Sequence, residues 1–378
     1  MPWVASQPPS VSAELTPSKR FGMMGYTTWK RVHHAIGARR VMVSREREQG
    51  SAQAAEGPFW LGIDLGGTNI KSGVVDDQGH PLSSVCRPTE AEKGPAVGLI
   101  NLAEAGRQAV AEAGLTLDQI AGVGLGSPGL MDIHAGLLID PPNLPGWTNL
   151  PIRRLLEEKL GRPTAFQNDA NAAAFGEFWV GAGREVESLV LFTLGTGVGC
   201  GIIDNGRLIE GRHSHGAECG HIIIQMEGGR EWPPGYFGRL EAYASATALV
   251  KRAVEALDRD RNLTTSLRTL LAQDNLSSRT IFEAADAGDA LAKRLVRETA
   301  RYLAVGAVNL MHTIDPDMVL FAGGMIAAGP SFLEQIRADI REMAFPIPAR
   351  ATRIEYAALG VDAGFIGAAG WARFKFKP

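Results

Sequence analysis

Apolar residues arrive along this chain in short bursts that end in glycine. Residues 59–65 form one such run, closed by Gly66-Gly67, the pattern of a strand buried on both faces. Residues 70–75 read as a second strand, 76–79 as a turn and 82–86 as a third strand. Residues 95–113 place Leu99, Leu102, Ala103, Gly106, Ala109 and Val110 at helical spacing, with Gly114 as the stop. A strand at 120–126, a helix at 153–160, an extended stretch at 164–167 and a helix at 170–180 follow. The grammar then repeats. Residues 188–194 make an apolar strand ending in Gly195-Thr196-Gly197, 199–203 are extended, and Asp204-Asn205-Gly206 is a hairpin turn. Further strands are predicted at 221–226, 318–322 and 353–357. Helices are predicted at 240–257, 289–313, 331–343 and 362–374. Strands alternating with helices indicate an α/β fold in two similarly ordered halves.

Composition narrows the function. The 378 residues leave room for two domains, and 45% are hydrophobic against 21% charged, an ordinary globular balance. Lys and Arg number 38 against 41 Asp and Glu, a net charge of −3 that carries no signature of a nucleic-acid binder. Residues 1–57 depart from this, with a net +4 and linker-like Pro, Ser, Ala and Gln. They read as a disordered extension, the alternative being a basic tethering arm. Cys86, Cys200 and Cys219 are too few for a disulfide framework. No apolar run reaches the length of a membrane span, and no secretory signal opens the chain, so a cytoplasmic protein is expected.

Glycine is in excess at 45 residues, and its clusters carry the chemistry. In Asp64-Leu65-Gly66-Gly67-Thr68 the glycines let backbone N–H groups approach an anion, Thr68 adds a donor, and Asp64 could hold Mg²⁺ through water. A tight turn with a capping Asp would look the same. Gly195-Thr196-Gly197-Val198-Gly199 repeats the logic, so two loops could clasp one polyphosphate. Gly124-Leu125-Gly126-Ser127-Pro128-Gly129 matches G-x-G-x-x-G, but Pro128 and the Gly- and Pro-rich stretch after it exclude the helix that a dinucleotide site needs. Asn168-Asp169 either caps a helix or aims a carboxylate at a substrate hydroxyl. His213, His215, Glu218 and His221 could bind a metal, while Glu218 and His221 equally suit a polyhydroxylated ligand.

Eight blocks in order carry a resemblance: IDLGGTNIKSGVV, GVGLGSPGLMD, NLPGW, QNDANAAAFGE, LGTGVGCGI, GAECGH, EAYAS and DPDMVLFAGG. Through them the chain resembles the ROK family of sugar kinases, and within it the bacterial ATP-dependent glucokinases. The resemblance implies an actin-like ATPase (ribonuclease H-like) two-lobed fold. Its small lobe would be 59–165 plus 362–378, and its large lobe, with the sugar site and dimer-type helices, 166–361. It places Asp64, Gly66, Gly67 and Thr68 in a first phosphate loop, Thr196 and Gly197 in a second, and Gly323 and Gly324 at the adenosine. It makes Asp169 the catalytic base and puts Asn168, Glu218, His221 and Glu241 on the sugar. ATP and Mg²⁺ are implied, with glucose as acceptor, a homodimer, and no nucleic-acid or membrane partner. Fructose, mannose or an N-acetylhexosamine as acceptor, polyphosphate as donor, and a sugar-responsive repressor are the alternatives.

One departure stands out. Where the family carries a C-x-C-G-x-x-G-C zinc cluster completed by the His, residues 225–240 read QMEGGREWPPGYFGRL. Trp232, Pro234 and Arg239 stand at the thiolate positions, so zinc is not expected. Cys219, His221 and Glu231 are what a leftover site would use. Aromatic and proline residues are expected to stiffen the loop instead.

Overall fold

The computed structural model describes residues 57–377 of the protein, so all of the 1–57 extension except Gly57 lies outside the described residues. Strand β1 (Phe59–Leu65) pairs antiparallel with β2 (Asn69–Val75), and β3 (Val85–Pro88) extends that hairpin. Helix α1 (Pro95–Glu112) crosses over to β4 (Ile120–Ser127), which lies parallel to β1. A small separate hairpin, β5 (Leu130–Asp132) and β6 (Leu137–Asp140), and helix α2 (Ile152–Leu160) lead to β7 (Thr164–Asn168). The first sheet has the order β3-β2-β1-β4-β7.

Helix α3 (Asp169–Trp179) opens the second half, where β8 (Leu189–Leu194), β9 (Val198–Asp204) and β10 (Arg207–Leu208) repeat the antiparallel start. Then come α4 (Glu241–Ala244), α5 (Ala246–Arg259), α6 (Leu267–Ala272), α7 (Ser278–Asp286) and α8 (Ala290–Ile314). Strand β11 (Met318–Ala322), α9 (Pro330–Met343), α10 (Pro348–Ala351), β12 (Arg353–Tyr356) and α11 (Ala363–Phe376) complete the fold. The second sheet has the order β10-β9-β8-β11-β12, with β8, β11 and β12 parallel, so the two sheets share one topology.

Three apolar cores stack these layers. One joins α1 and α2 to the outer face of the first sheet, and another joins α5, α7, α8 and α9 to the outer face of the second. The third, with Phe175, Phe365, Ile366 and Trp371, holds α3 and α11 between the sheets. Burial on both faces is why β1 and β8 read as continuous apolar runs. Helix α11 lies so close to the first sheet that a Cβ on Gly62 would meet the Phe365 carbonyl, and one on Gly124 the Ala368 carbonyl. Buried Glu177, at the end of α3, accepts N–H bonds from Ala182 (2.9 Å), Ala358 (3.0 Å) and Leu359 (2.7 Å), tying α3 to the turn before α11. Among the described residues no helix is long and apolar enough to cross a membrane.

The strand predicted at 221–226 is absent. Cys219–His221 form a 3-10 turn, and the apolar run after it makes only an isolated bridge between Ile223 and Arg239, with Ile223 exposed. The helix predicted at 240–257 is two helices, because the Ser245 side chain accepts the Ala248 N–H at 3.1 Å and caps a new start. The Gly124–Gly129 motif runs from β4 into the β5–β6 hairpin and opens no helix.

Candidate active site

The first glycine loop is the β1–β2 turn. Gly66 N–H donates to Asn69 O at 2.9 Å, and Thr89 holds the turn from outside, its hydroxyl donating to Gly66 O at 2.7 Å and its N–H to Thr68 O at 2.8 Å. Gly67 abuts Asn143 so closely that a Cβ would come within 2.8 Å of it. Asp64 sits one residue before the end of β1, opposite Lys71, with its carboxylate against Gly364 in the first turn of α11. Burial and the nearby Asp169 charge raise its pKa to about 7, against the pull of Lys71.

Strand β7 delivers Asn168 and Asp169 to the same end of the first sheet. Asn168 caps α3, and capping uses only part of each side chain, so a carboxylate aimed at a substrate stays compatible with it. Asn168 Oδ1 accepts from Ala170 N (2.9 Å) and Asn171 N (3.1 Å), which leaves its amide donors over. Asp169 Oδ1 accepts the Ala170 N–H at 2.8 Å, which leaves Oδ2 over. Burial, then the Glu218 charge, raise the Asp169 pKa against that backbone bond. Asp64, Asp169 and Glu218 are thus a file of carboxylates close enough to repel one another.

The second glycine loop is the β8–β9 turn, with Thr196 exposed at its tip. Here the structure adds a partner. Glu241, at the start of α4, accepts the Val198 N–H on Oε2 at 2.9 Å, so it braces this loop as well as being a candidate sugar ligand. The turn carrying Glu218 and His221 packs on β9, where a Cβ on Gly220 would meet the Val198 carbonyl. Gly323 and Gly324 are exposed just after β11, the strand beside β8. The segment before Glu218 reaches the first half: Ser214 Oγ accepts from Ile133 N (2.9 Å), and Gln167 donates to Glu210 (3.0 Å).

Among the described residues no three His, Cys, Asp or Glu side chains gather closely enough to hold a metal, so His213 and His215 do not join Glu218 and His221 in a cluster. Two features of the candidate site escaped sequence reasoning: the Glu241 bond to Val198 and a contact between Arg239 and His221, whose Nη1 and Nδ1 lie 3.2 Å apart. No local sequence signal announces either, because both pair residues far apart in the chain.

Residues 60–375 match the model of the ROK family. The chain is 35% identical over 318 residues to a glucokinase of Halalkalibacterium halodurans, covering 83% of this chain and 94% of that one. Among solved structures it is similar to a ROK hexokinase from Thermus thermophilus (36% identity, TM-score 0.72) and to a ROK family glucokinase from Streptomyces griseus in complex with glucose and AMPPNP (34% identity, TM-score 0.69). In both cases the match covers 84% of this chain and 99% of the other.

Proposed function

The chain belongs to the ROK family, and from that premise we propose that it is an ATP-dependent glucokinase, transferring the γ-phosphoryl group of ATP to the 6-hydroxyl of glucose. The fold is the actin-like ATPase fold of the ROK sugar kinases. One observation carries the catalytic reading. Asp169 stands at the start of α3 with one oxygen bonded to backbone and the other left over to accept a proton, and burial raises its pKa above the ordinary carboxylate value.

Asp169 accepts the proton of the 6-hydroxyl as that oxygen bonds to the γ-phosphorus and the bond to the β-phosphate oxygen breaks, releasing ADP. Phosphoryl transfer asks the protein mainly for positioning and charge neutralisation. Backbone N–H groups at Gly67 and Gly197, with the hydroxyls of Thr68 and Thr196, supply donors for the phosphates, the Gly66 N–H being used to close the turn on Asn69, and Gly323-Gly324 leave room for the adenosine. Asn168, Glu218, His221 and Glu241 hydrogen-bond the sugar hydroxyls, and a sugar that leaves them unpaired is rejected. Asp64 fits a divalent cation: its buried carboxylate stands beside Asp169, whose charge opposes its own, so a cation there would offset both acids. A Mg²⁺ held at Asp64 would supply neutralisation of phosphate charge. The need for ATP puts this work in the cytoplasm.

A coupled assay with ATP and Mg²⁺ over glucose, fructose, mannose and N-acetylglucosamine, repeated with polyphosphate as donor, tests the reading. The highest kcat/KM is expected for glucose with ATP. Turnover on another hexose and none on glucose would replace the acceptor. No turnover on any sugar, with specific DNA binding by the intact chain, would move the protein to the repressor class.

A further inference from the structure

The segment between His221 and Glu241 is a loop whose ends are stapled together. Ile224 N–H donates to Gly238 O at 2.8 Å, and Leu240 N–H to Ile222 O at 3.0 Å. The staple brings Arg239 back beside His221, 18 residues away in the chain, with Arg239 Nη1 3.2 Å from His221 Nδ1. A guanidinium offers donors only and does not deprotonate, so Nδ1 is the acceptor in this pair. A neutral His221 then carries its proton on Nε2. The guanidinium is itself seated 3.7 Å from the centroid of the Tyr236 ring. Tyr236 is fixed by its N–H to Pro233 O (3.0 Å) and by the Trp232 N–H to its own carbonyl (2.8 Å).

From this geometry we infer that Arg239 is a positioning residue for the sugar: it locks the His221 imidazole in one orientation and in the Nε2–H tautomer. The ring then offers the sugar a donor and not an acceptor. The inference rests on the glucokinase reading, in which His221 faces the sugar. Its chemical sense comes from the neighbours. Asp169, Glu218 and Glu241 accept hydrogen bonds when ionised and cannot donate. A hydroxyl has one proton to give and two lone pairs to fill. With Nε2–H as donor, a hydroxyl accepts from His221 and still donates to a carboxylate. With the other tautomer, imidazole and carboxylate would compete for one proton, and the hydroxyl's lone pairs would go unfilled. In a site this rich in carboxylates, the tautomer decides whether the set can be satisfied.

The test uses the full chain. ¹⁵N correlation spectra of histidine-labelled protein, with His221 assigned through His221→Gln, read the tautomer directly. Wild type is expected as Nε2–H. Arg239→Met should give a mixture and raise the KM for glucose ~10-fold, the order expected for one hydrogen bond left unmade in a buried site. Its kcat and KM for ATP should stay within about twofold, since one bond to the sugar leaves phosphate binding untouched. Arg239→Gln keeps an N–H donor and should recover the tautomer and most of the sugar affinity. Tyr236→Leu removes the seat alone and gives the same readouts if Arg239→Met does not fold. An unchanged tautomer and unchanged sugar KM in Arg239→Met would overturn the inference, as would Arg239→Gln no better than Arg239→Met. If wild type phosphorylates no sugar, the glucokinase reading falls, while the tautomer still decides the Arg239 contact.

Discussion

The hairpins that open the two halves are built alike and charged differently. In the first, β1 places Asp64 opposite Lys71 and ends in Gly66-Gly67-Thr68. In the second, β8 places Thr193 opposite Gly199 and ends in Gly195-Thr196-Gly197. Both are central strands of sheets with the same order. The slot that holds an acid in one half therefore holds a neutral hydroxyl in the other. The second loop takes its carboxylate from outside the hairpin, and Glu241 arrives already bonded to the Val198 N–H. Asp64 has a pKa near 7 because burial and Asp169 both oppose its charge. One loop thus carries an acid whose charge its surroundings oppose, and the other carries one whose hydrogen-bond partner is part of the loop. The same backbone device recurs in both loops, and under the proposed function it would serve phosphate in each, while the unbalanced charge lies in the first half.

The largest break of this asymmetry comes at Asp169, where the first half meets the carboxylates of the second. Asp169→Asn keeps the shape and an oxygen to accept the Ala170 N–H, and it removes the proton acceptor. We expect kcat to fall ~10²–10⁴-fold, the usual contribution of a general base. Glucose binding by calorimetry should be retained. A kcat within a few-fold of wild type would show that the base lies elsewhere.

Asp64 sharpens the comparison through pH. Its folded-state pKa of about 7 lies above the ordinary 3.8. Below pH 3.8 folded and unfolded chains both hold the proton, and the group is neutral to stability in relative terms. Between about 4 and 7 the folded chain keeps a proton that the unfolded chain has released, so the stability tied to that proton is lost as pH rises through this window. Asp64→Asn removes the effect. Without ligand at pH 8 it should be more stable than wild type by on the order of 4 kcal/mol in urea unfolding, with no difference at pH 3.5. Thr193→Val, in the equivalent slot of the second half, keeps Asp64, so its difference in stability from wild type should not change with pH. Equal pH profiles for wild type and Asp64→Asn would mean that the charge at Asp64 is already balanced.

Glu241 tests the satisfied loop. Glu241→Ala strands the Val198 N–H and should cost ~1–3 kcal/mol of stability. It should also raise KM for glucose and for ATP together, since one side chain serves both neighbours in the reading above. Glu241→Gln retains an acceptor for that N–H and should restore most of the stability. If Glu241→Ala changes only the sugar KM and leaves stability intact, the brace on the second loop is not a real contributor.

The sequence was most legible where both sides of an element are covered. Strand β11 lies at 318–322 as read, and β1 at 59–65, because a doubly buried strand must be apolar throughout and glycine must follow. Helices α1 and α9 were clear from their apolar spacing, each with Pro at its start. The run at 221–226 misled because apolar residues there serve a stapled loop and leave Ile223 in solvent. In the site, Asp64, Asn168 and Asp169 could be singled out from local grammar, as polar residues ending apolar strands. The roles of Glu241 and Arg239 could not, since Val198 lies 43 residues from Glu241, and the Arg239 contact depends on how an irregular loop closes.

The smallest effect is expected from taking zinc away. A structural zinc needs about four ligands, and its thiolates and imidazoles must present lone pairs. At the three positions where the family resemblance calls for thiolates stand Trp232, Pro234 and Arg239. The Arg239 guanidinium lies on His221 Nδ1, so that lone pair is already taken by a cation. Glu231, the remaining acid of the loop, accepts the Gly235 N–H at 2.6 Å, and Cys219 is buried in the apolar core beside Cys200. The work of fixing the loop is done by other contacts. Arg230 makes a two-pronged bond to Glu255 at 2.7 and 2.6 Å, its N–H donates to the Tyr243 hydroxyl at 2.7 Å, and the Lys251 ammonium sits 3.2 Å from the Trp232 ring centroid. Purified protein should therefore contain far less than one zinc per chain by elemental analysis, and a zinc chelator should leave Tm and sugar phosphorylation unchanged with Mg²⁺ in excess. One zinc per chain, with Tm lowered by chelation and restored by Zn²⁺, would reverse the comparison and make the second half a metal-dependent one.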